Sequence, residues 1–200
     1  MEYIVKRRQD LKTGAWTGGR TTELFICPPE ARLELRNFIA RVSSATVEQD
    51  ESEFSDFSGF VRHIMPLEGR MKLVFGDSRS VDLGTYESYT FDGGIPVKSF
   101  GRCVDFNLIH TPDWKGSLWA VSNSGTFTCD PKGFAVFFAV RDGVSVAAAT
   151  DDCTGYAEVL NYGDLFLMSP SDFKRRGLRI RGENAVGEIV MVMATIHPMR

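Results

Sequence analysis

Apolar residues recur at every second position along most of this chain, and no stretch sustains the three-to-four spacing of an amphipathic helix. Residues 37–48 are the clearest case. Ile39, Arg41, Ser43 and Ala45 share one face of an extended strand, while Phe38, Ala40 and Val42 share the other. Further strand-like runs occupy 3–8, 21–27, 60–67, 70–75, 80–83, 88–91, 97–100 and 103–109, separated by Gly, Asp or Pro. Residues 10–19 read as a loop rich in turn formers, Glu68-Gly69 as the turn of a hairpin, and 112–115 as one turn of helix. Short strands at this spacing predict an all-β fold, a sandwich or barrel with little helix.

The second half repeats the plan more faintly. The run 134–140, then Arg141-Asp142-Gly143, then 144–149 mirrors the arrangement around Glu68-Gly69. Tyr162-Gly163-Asp164 followed by 165–168 matches the place of 88–91, and the long apolar run 186–196 compares with 103–109. Two copies of one barrel unit are therefore expected. The first takes residues 1–115 and the second 116–200, with the final strand free to cross over. Polar residues of pocket type thin out in the second copy, which places any ligand in the first.

Composition narrows the partners. With 23 basic and 26 acidic residues the net charge is −3, so no overall basic field exists to hold a nucleic-acid backbone. The cluster Lys174-Arg175-Arg176 with Arg179 and Arg181 lacks interleaved aromatics and reads as a solvated loop. No apolar run approaches the roughly 20 residues of a membrane helix, so no membrane partner is expected. Charges fall where a secretory signal would need an apolar core, which predicts a cytoplasmic protein. Cys27, Cys103, Cys129 and Cys153 form no CxxC pair and are expected as reduced, mostly buried thiols.

Residues 54–69 look like the wall of a pocket: Phe54 and Phe57 each precede a serine, Gly59 opens a strand carrying Arg62, and Leu67-Glu68-Gly69 ends it. These landmarks also resemble the HutD/Ves family of bicupin-like proteins, in which several motifs occur in the same order. Trp16-Thr17-Gly18-Gly19 with Thr21 and Glu23 is similar to its W-x-x-G-G-x-T-x-E segment, and 38–45 to its F-x-x-R-x-S-x-A strand. Phe54-Ser55-Asp56-Phe57-Ser58-Gly59, Arg62 and Leu67-Glu68-Gly69 resemble F-S-x-F-x-G, R and L-E-G, and Asp105-Phe106-Asn107 matches D-F-N. Ser58 stands where the family has proline, and the lysine-asparagine after the tryptophan is missing. The resemblance implies a pair of cupin-like barrels and an association with histidine utilisation, in a regulatory or metabolite-sensing role. A small anionic ligand, urocanate or a formylated or formiminated glutamate, is what that association implies.

The residues themselves support an anion site. A buried guanidinium must be paired, and its planar fork suits a carboxylate. Two readings are open: Arg41 or Arg62 pairs internally with Asp105 or Glu23, or one of them is left to grip a ligand. Asp105 and Asn107 share a strand face with Cys103 and Ile109, which favours burial. Trp16, Phe54 and Phe57 either stack on a planar ligand or are core aromatics. The candidate ligand-binding set is thus Arg41, Ser43, Arg62, Asp105, Asn107, Trp16, Thr21, Glu23, Phe54 and Phe57. His63, His110 and His197 make no H-x-H pair, so neither a metal nor another cofactor is expected. No catalytic constellation is visible, and a binding protein is the first reading. The alternative is a metal-independent hydrolase or isomerase acting on a small carboxylate, with Glu23 or Asp105 as base. A homodimer through an exposed barrel edge is a further expectation.

Overall fold

The computed structural model describes residues 3–76, 78–123, 126–127, 132–149, 157–168, 177–181 and 187–199. Its strands in the first half are β1 (Tyr3–Lys6), β2 (Lys12–Trp16), β3 (Gly19–Cys27), β4 (Ala40–Val47), β5 (Glu51–Glu53), β6 (Val61–Gly69), β7 (Met71–Phe75), β8 (Ser80–Leu83), β9 (Tyr89–Asp92), β10 (Val97–Phe100) and β11 (Cys103–His110). The second half adds β12 (Trp114–Ser122), β13 (Thr126–Phe127), β14 (Phe134–Ala139), β15 (Val144–Ala149), β16 (Ala157–Leu160), β17 (Leu165–Met168), β18 (Gly177–Arg181) and β19 (Ile189–Pro198). Among the described residues, helix is confined to the 3-10 turns Arg8–Asp10 and Leu33–Leu35. The fold is all-β, as the alternation predicts.

The chain divides into two compact units. One comprises Leu11–Leu118 with Met199; the other comprises Met1–Asp10, Trp119–Pro198 and Arg200. The first unit has a six-stranded sheet, β2-β3-β4-β11-β6-β9, and a four-stranded sheet, β5-β10-β7-β8. The sheets of the second half are β1-β17-β14-β19-β12 and β13-β18-β15-β16. Adding eight to each label of β4-β11-β6-β9 gives β12-β19-β14-β17, and the same step turns β5-β10-β7-β8 into β13-β18-β15-β16. The duplication is thus a property of strand pairing, preserved where side-chain similarity has faded.

In the second half, β1 pairs antiparallel with β17 and lays Tyr3 against Phe166, ring centroids 5.2 Å apart. Arg7 reaches Asp164 at 2.9 Å and Glu158 at 3.4 Å, tying the N-terminal segment to that unit. Its core joins Val121, Phe137, Val146, Leu160, Phe166 and Met191, all wholly buried. In the first unit, Ile64, Leu73, Phe75, Phe91 and Val97, drawn from both sheets, belong to one buried apolar cluster.

Three local expectations are corrected. Residues 12–16 are a strand, β2, that forms a hairpin with β3. Every one of its side chains is exposed, so no apolar alternation marks it. Residues 112–115 are not a helical turn; the chain turns through Pro112 and Asp113 and enters β12 at Trp114. Most consequentially, Glu68-Gly69 does not close a hairpin, since β6 and β7 lie in different sheets. The same holds for β14 and β15 around Arg141-Asp142-Gly143. Both are corners where the chain leaves one sheet for the other, and alternation on either side of a turn cannot tell a corner from a hairpin.

Gly69 makes its corner possible. It adopts φ +76°, and a Cβ there would lie 2.7 Å from the Arg102 carbonyl oxygen. Gly69→Ala is expected to cost roughly 1–3 kcal/mol in urea unfolding. Gly14→Ala, on the exposed β2 with nothing within 4 Å of the added carbon, is the matched control and is expected to stay within about 0.5 kcal/mol of the parent.

Candidate functional site

The six-stranded sheet brings its polar positions together by register. Asn107 on β11 lies opposite Ser43 on β4, Asp105 opposite Ala45, and Ile109 between Arg41 on one side and Arg62 on the other. Glu23 on β3 pairs with Ser43. Because side chains alternate, Arg41, Ser43, Arg62, Asp105 and Asn107 all point to one face. A shift in register between Val104 and Asp105 sets the start of that row. The face lines a cavity of about 560 Å³, wholly within the first unit, whose wall includes Trp16, Thr21, Glu23, Arg41, Ser43, Phe54, Phe57, Arg62, Asp105 and Asn107. All ten sequence-selected candidates therefore border one space.

The two arginines meet different fates. The Arg41 Nε donates to Glu23 Oε2 at 2.9 Å, and its Nη1 donates to Ser43 Oγ at 3.2 Å. Arg41 is thus the internally paired one. Arg62 is 5% exposed, and its only hydrogen bonds among the described residues are long: Nη1 to the Ser55 carbonyl at 3.5 Å and Nη2 to Asn107 Oδ1 at 3.4 Å. Its Nε has no acceptor. Three rings surround the guanidinium carbon, Phe54 at 4.5 Å, Phe91 at 5.3 Å and Phe57 at 5.5 Å. They offer their faces, which suit a cation but leave its in-plane donors unspent. Burial lowers the Arg62 pKa to about 10, so it is still charged at neutral pH.

Asp105 is the matching acceptor. It is 2% exposed and its Oδ1 makes no hydrogen bond. Burial pushes its pKa up to about 7, against the opposing pull of Arg62 and hydrogen bonds from the Ala45 backbone and the Asn107 side chain. A buried donor and a buried acceptor, each unpartnered, thus border one cavity. Unmade bonds of this kind are costly to a fold and concentrate where a ligand supplies the missing partner.

The aromatics sort themselves. Phe57 is 7% exposed and packs with Phe38, Phe60 and the Arg36 guanidinium. Phe54 stacks on Phe91 at 6.3 Å and also covers Arg62. Trp16 is 40% exposed and folds over Gly18, where any Cβ would run into the indole. Phe91 escaped sequence reasoning, although it sits directly opposite Arg62 in the β6–β9 register. Period-two alternation marks it as inward, but only the pairing reveals which residue it faces.

The histidines make no H-x-H pair in the sequence. Yet His63 and His110 meet on the other face of the sheet, Nε2 to Nε2 at 2.9 Å, with rings stacked at 5.1 Å. Burial lowers both pKa values, that of His63 to about 4. Among the described residues no group of three or more His, Cys, Asp or Glu could hold a metal ion. The cavity presents two guanidinium groups and no imidazole, a donor set that does not fit a metal of the kind many cupin-like barrels carry. Cys27 and Cys103 are free thiols; Cys129, Cys153 and Lys174 to Arg176 lie outside the described residues. No helix among the described residues is long and apolar enough to cross a membrane.

Comparison with known proteins agrees with this fold. A conserved protein of unknown function from Pseudomonas aeruginosa PAO1 superposes with a TM-score of 0.80 at 24% identity, covering 98% of this chain and 100% of that one. HutD from Pseudomonas fluorescens SBW25, solved in a formate condition, gives 0.77 at 23% identity, with 100% of each chain covered. The Escherichia coli pirin in complex with nickel(II) shares the fold at 0.66 but only 9% identity, with 100% of each chain covered. No curated protein sequence matches. The HutD family model matches residues 8–186, nearly the whole length, and the chain belongs to the HutD family.

Proposed function

We propose that this protein binds a small carboxylate metabolite in the cavity of its first barrel and acts as a sensor or regulator in histidine catabolism, in the cytoplasm. The observation that carries the reading is Arg62: a charged, almost wholly buried guanidinium whose Nε has no acceptor and whose other contacts are long. Two charge-assisted hydrogen bonds at roughly 1.5–3 kcal/mol each are enough to hold a small acid in the micromolar to millimolar range. Phe54 beside the guanidinium suits a planar ligand. Membership of the family supports the link to histidine utilisation, with urocanate and formylated or formiminated glutamate as the first acids to try.

One observation favours a second reading. A carboxyl whose pKa is raised to about 7, facing a cavity, is tuned for general acid–base work. On that reading the protein is a metal-independent hydrolase or isomerase with Asp105 as the base.

A thermal-shift panel of these acids, followed by NMR of each binder over hours, separates the two. Stabilisation with the acid unchanged is the expected result; conversion of the acid would establish the enzyme instead. Arg62→Ala is expected to abolish the shift and Arg41→Ala to weaken it, because Glu23 would lose its partner and turn its charge on the ligand. An undiminished shift in both variants would rule out the arginine grip for either reading.

A further inference from the structure

We propose that ligand capture in this cavity is coupled to the uptake of one proton, held by Asp105, whose carboxyl then donates a hydrogen bond to the bound carboxylate. This rests on the reading that the cavity binds a carboxylate, and it assigns Asp105 a role in deciding which anions are accepted.

The charge arrangement leads there. Arg41 is spent on Glu23 at 2.9 Å, so Arg62 is the cation left for a ligand. Asp105 already acts on Arg62 electrostatically. A ligand carboxylate drawn to Arg62 would therefore place two negative groups around one guanidinium, and both Arg62 and Asp105 are almost wholly buried. Like charges so placed cannot both stay ionised, and one takes a proton. With Asp105 ionised, Glu23, Arg41, Arg62 and Asp105 sum to zero; an anion alone would leave −1, and an anion plus a proton restores zero.

Hydrogen-bond chemistry points the same way. Ionised, Asp105 offers only acceptors, and its bare Oδ1 would face a second acceptor on the ligand. Protonated, it becomes a donor, and the ligand carboxylate meets a donor on each of the two side chains, Arg62 and Asp105. Asp105 is suited to the exchange because burial already holds its carboxyl near neutrality. Its neighbours leave the assignment to it. Cys103 on the same strand is pushed up to about 12 and stays neutral. Lys12, Glu34 and Glu53 border the cavity from β2, the Leu33–Leu35 turn and β5. His63 and His110 titrate below their ordinary range, so they take up no proton at pH 8.

The test is titration calorimetry with sodium formate and sodium glutarate in buffers of contrasting ionisation enthalpy, between pH 5.5 and 8.5. Uptake close to one proton per probe bound is expected at pH 8 and close to none at pH 5.5. Affinity should fall about tenfold per pH unit above 7. Asp105→Asn, a permanent neutral donor, should remove the uptake and the slope, and bind about tenfold or more tighter than the parent at pH 8.5. Binding without uptake at pH 8, or an unchanged slope in Asp105→Asn, overturns the proton linkage while leaving the anion site standing. Failure of both probes at every pH overturns the linkage and the proposed function together. The calorimetry of the unaltered protein decides the matter even if the variant does not fold.

Discussion

Arg62→Met is expected to weaken carboxylate binding by about a hundredfold or more while leaving the protein at least as stable as its parent at pH 6. The two halves of this result come from one cause. Arg62 is 5% exposed, yet no acceptor meets its Nε and both remaining bonds are 3.4 Å or longer. A charge taken from water and so poorly compensated costs stability, and a methionine of similar reach would fill the space between Phe54, Phe57 and Phe91 without that cost. The measurement belongs at pH 6 because Arg62 holds down the pKa of Asp105. With the cation gone, that pKa rises further, so at pH 6 Asp105 is neutral and no unpaired negative charge is left behind. Calorimetric binding and urea unfolding of the same preparation check both halves. A variant that loses several kcal/mol of stability and keeps its affinity would make Arg62 a structural prop.

The faces of the strands were legible in the sequence, and the pairings were not. Period-two alternation puts Arg41 with Ser43 and Asp105 with Asn107 because it is a property of a single strand. Which arginine stays free depends on a neighbour: Glu23 reaches Arg41 because β3 pairs with β4, and Phe91 reaches Arg62 because β9 pairs with β6. Two readings of the arginines were open on the sequence for that reason. Corners hide in the same way. Glu68-Gly69 has the composition of a hairpin turn, but β7 continues in the other sheet, a choice made by packing across the core. Strand β2 was missed because it carries no buried side chain at all. The duplication was legible only through the spacing of the strands, since pairing order is what the two halves share.

Between pH 6.5 and 4 the stability of this protein is expected to change less than its buried histidines alone would make it, because two buried sites titrate with opposite signs. The first is the histidine pair. The Thr111 carbonyl can only accept, so His110 Nδ1 carries a proton and donates to it at 2.8 Å. In the neutral ring its Nε2 then accepts from His63 Nε2, which leaves His63 Nδ1 to accept from the Thr90 hydroxyl at 2.7 Å. A proton added at His110 Nε2 would set N–H against N–H. Burial, and then the neighbouring His110, lower the folded pKa of His63 to about 4, so between 6.5 and 4 the unfolded chain binds more protons, and acidification destabilises the fold by roughly 3 kcal/mol. Asp105 does the reverse. Its folded pKa is raised to about 7, so from 7 down to about 4 the folded chain binds more protons, and acidification stabilises it by a similar amount. Each substitution should expose the other slope. Asp105→Asn is expected to lose roughly 3 kcal/mol on going from pH 6.5 to 4. His63→Gln, which keeps an N–H donor to His110, should gain stability over the same interval. Urea unfolding of the three proteins at half-unit steps checks this. Parallel profiles for all three would mean that neither buried site carries the pH dependence.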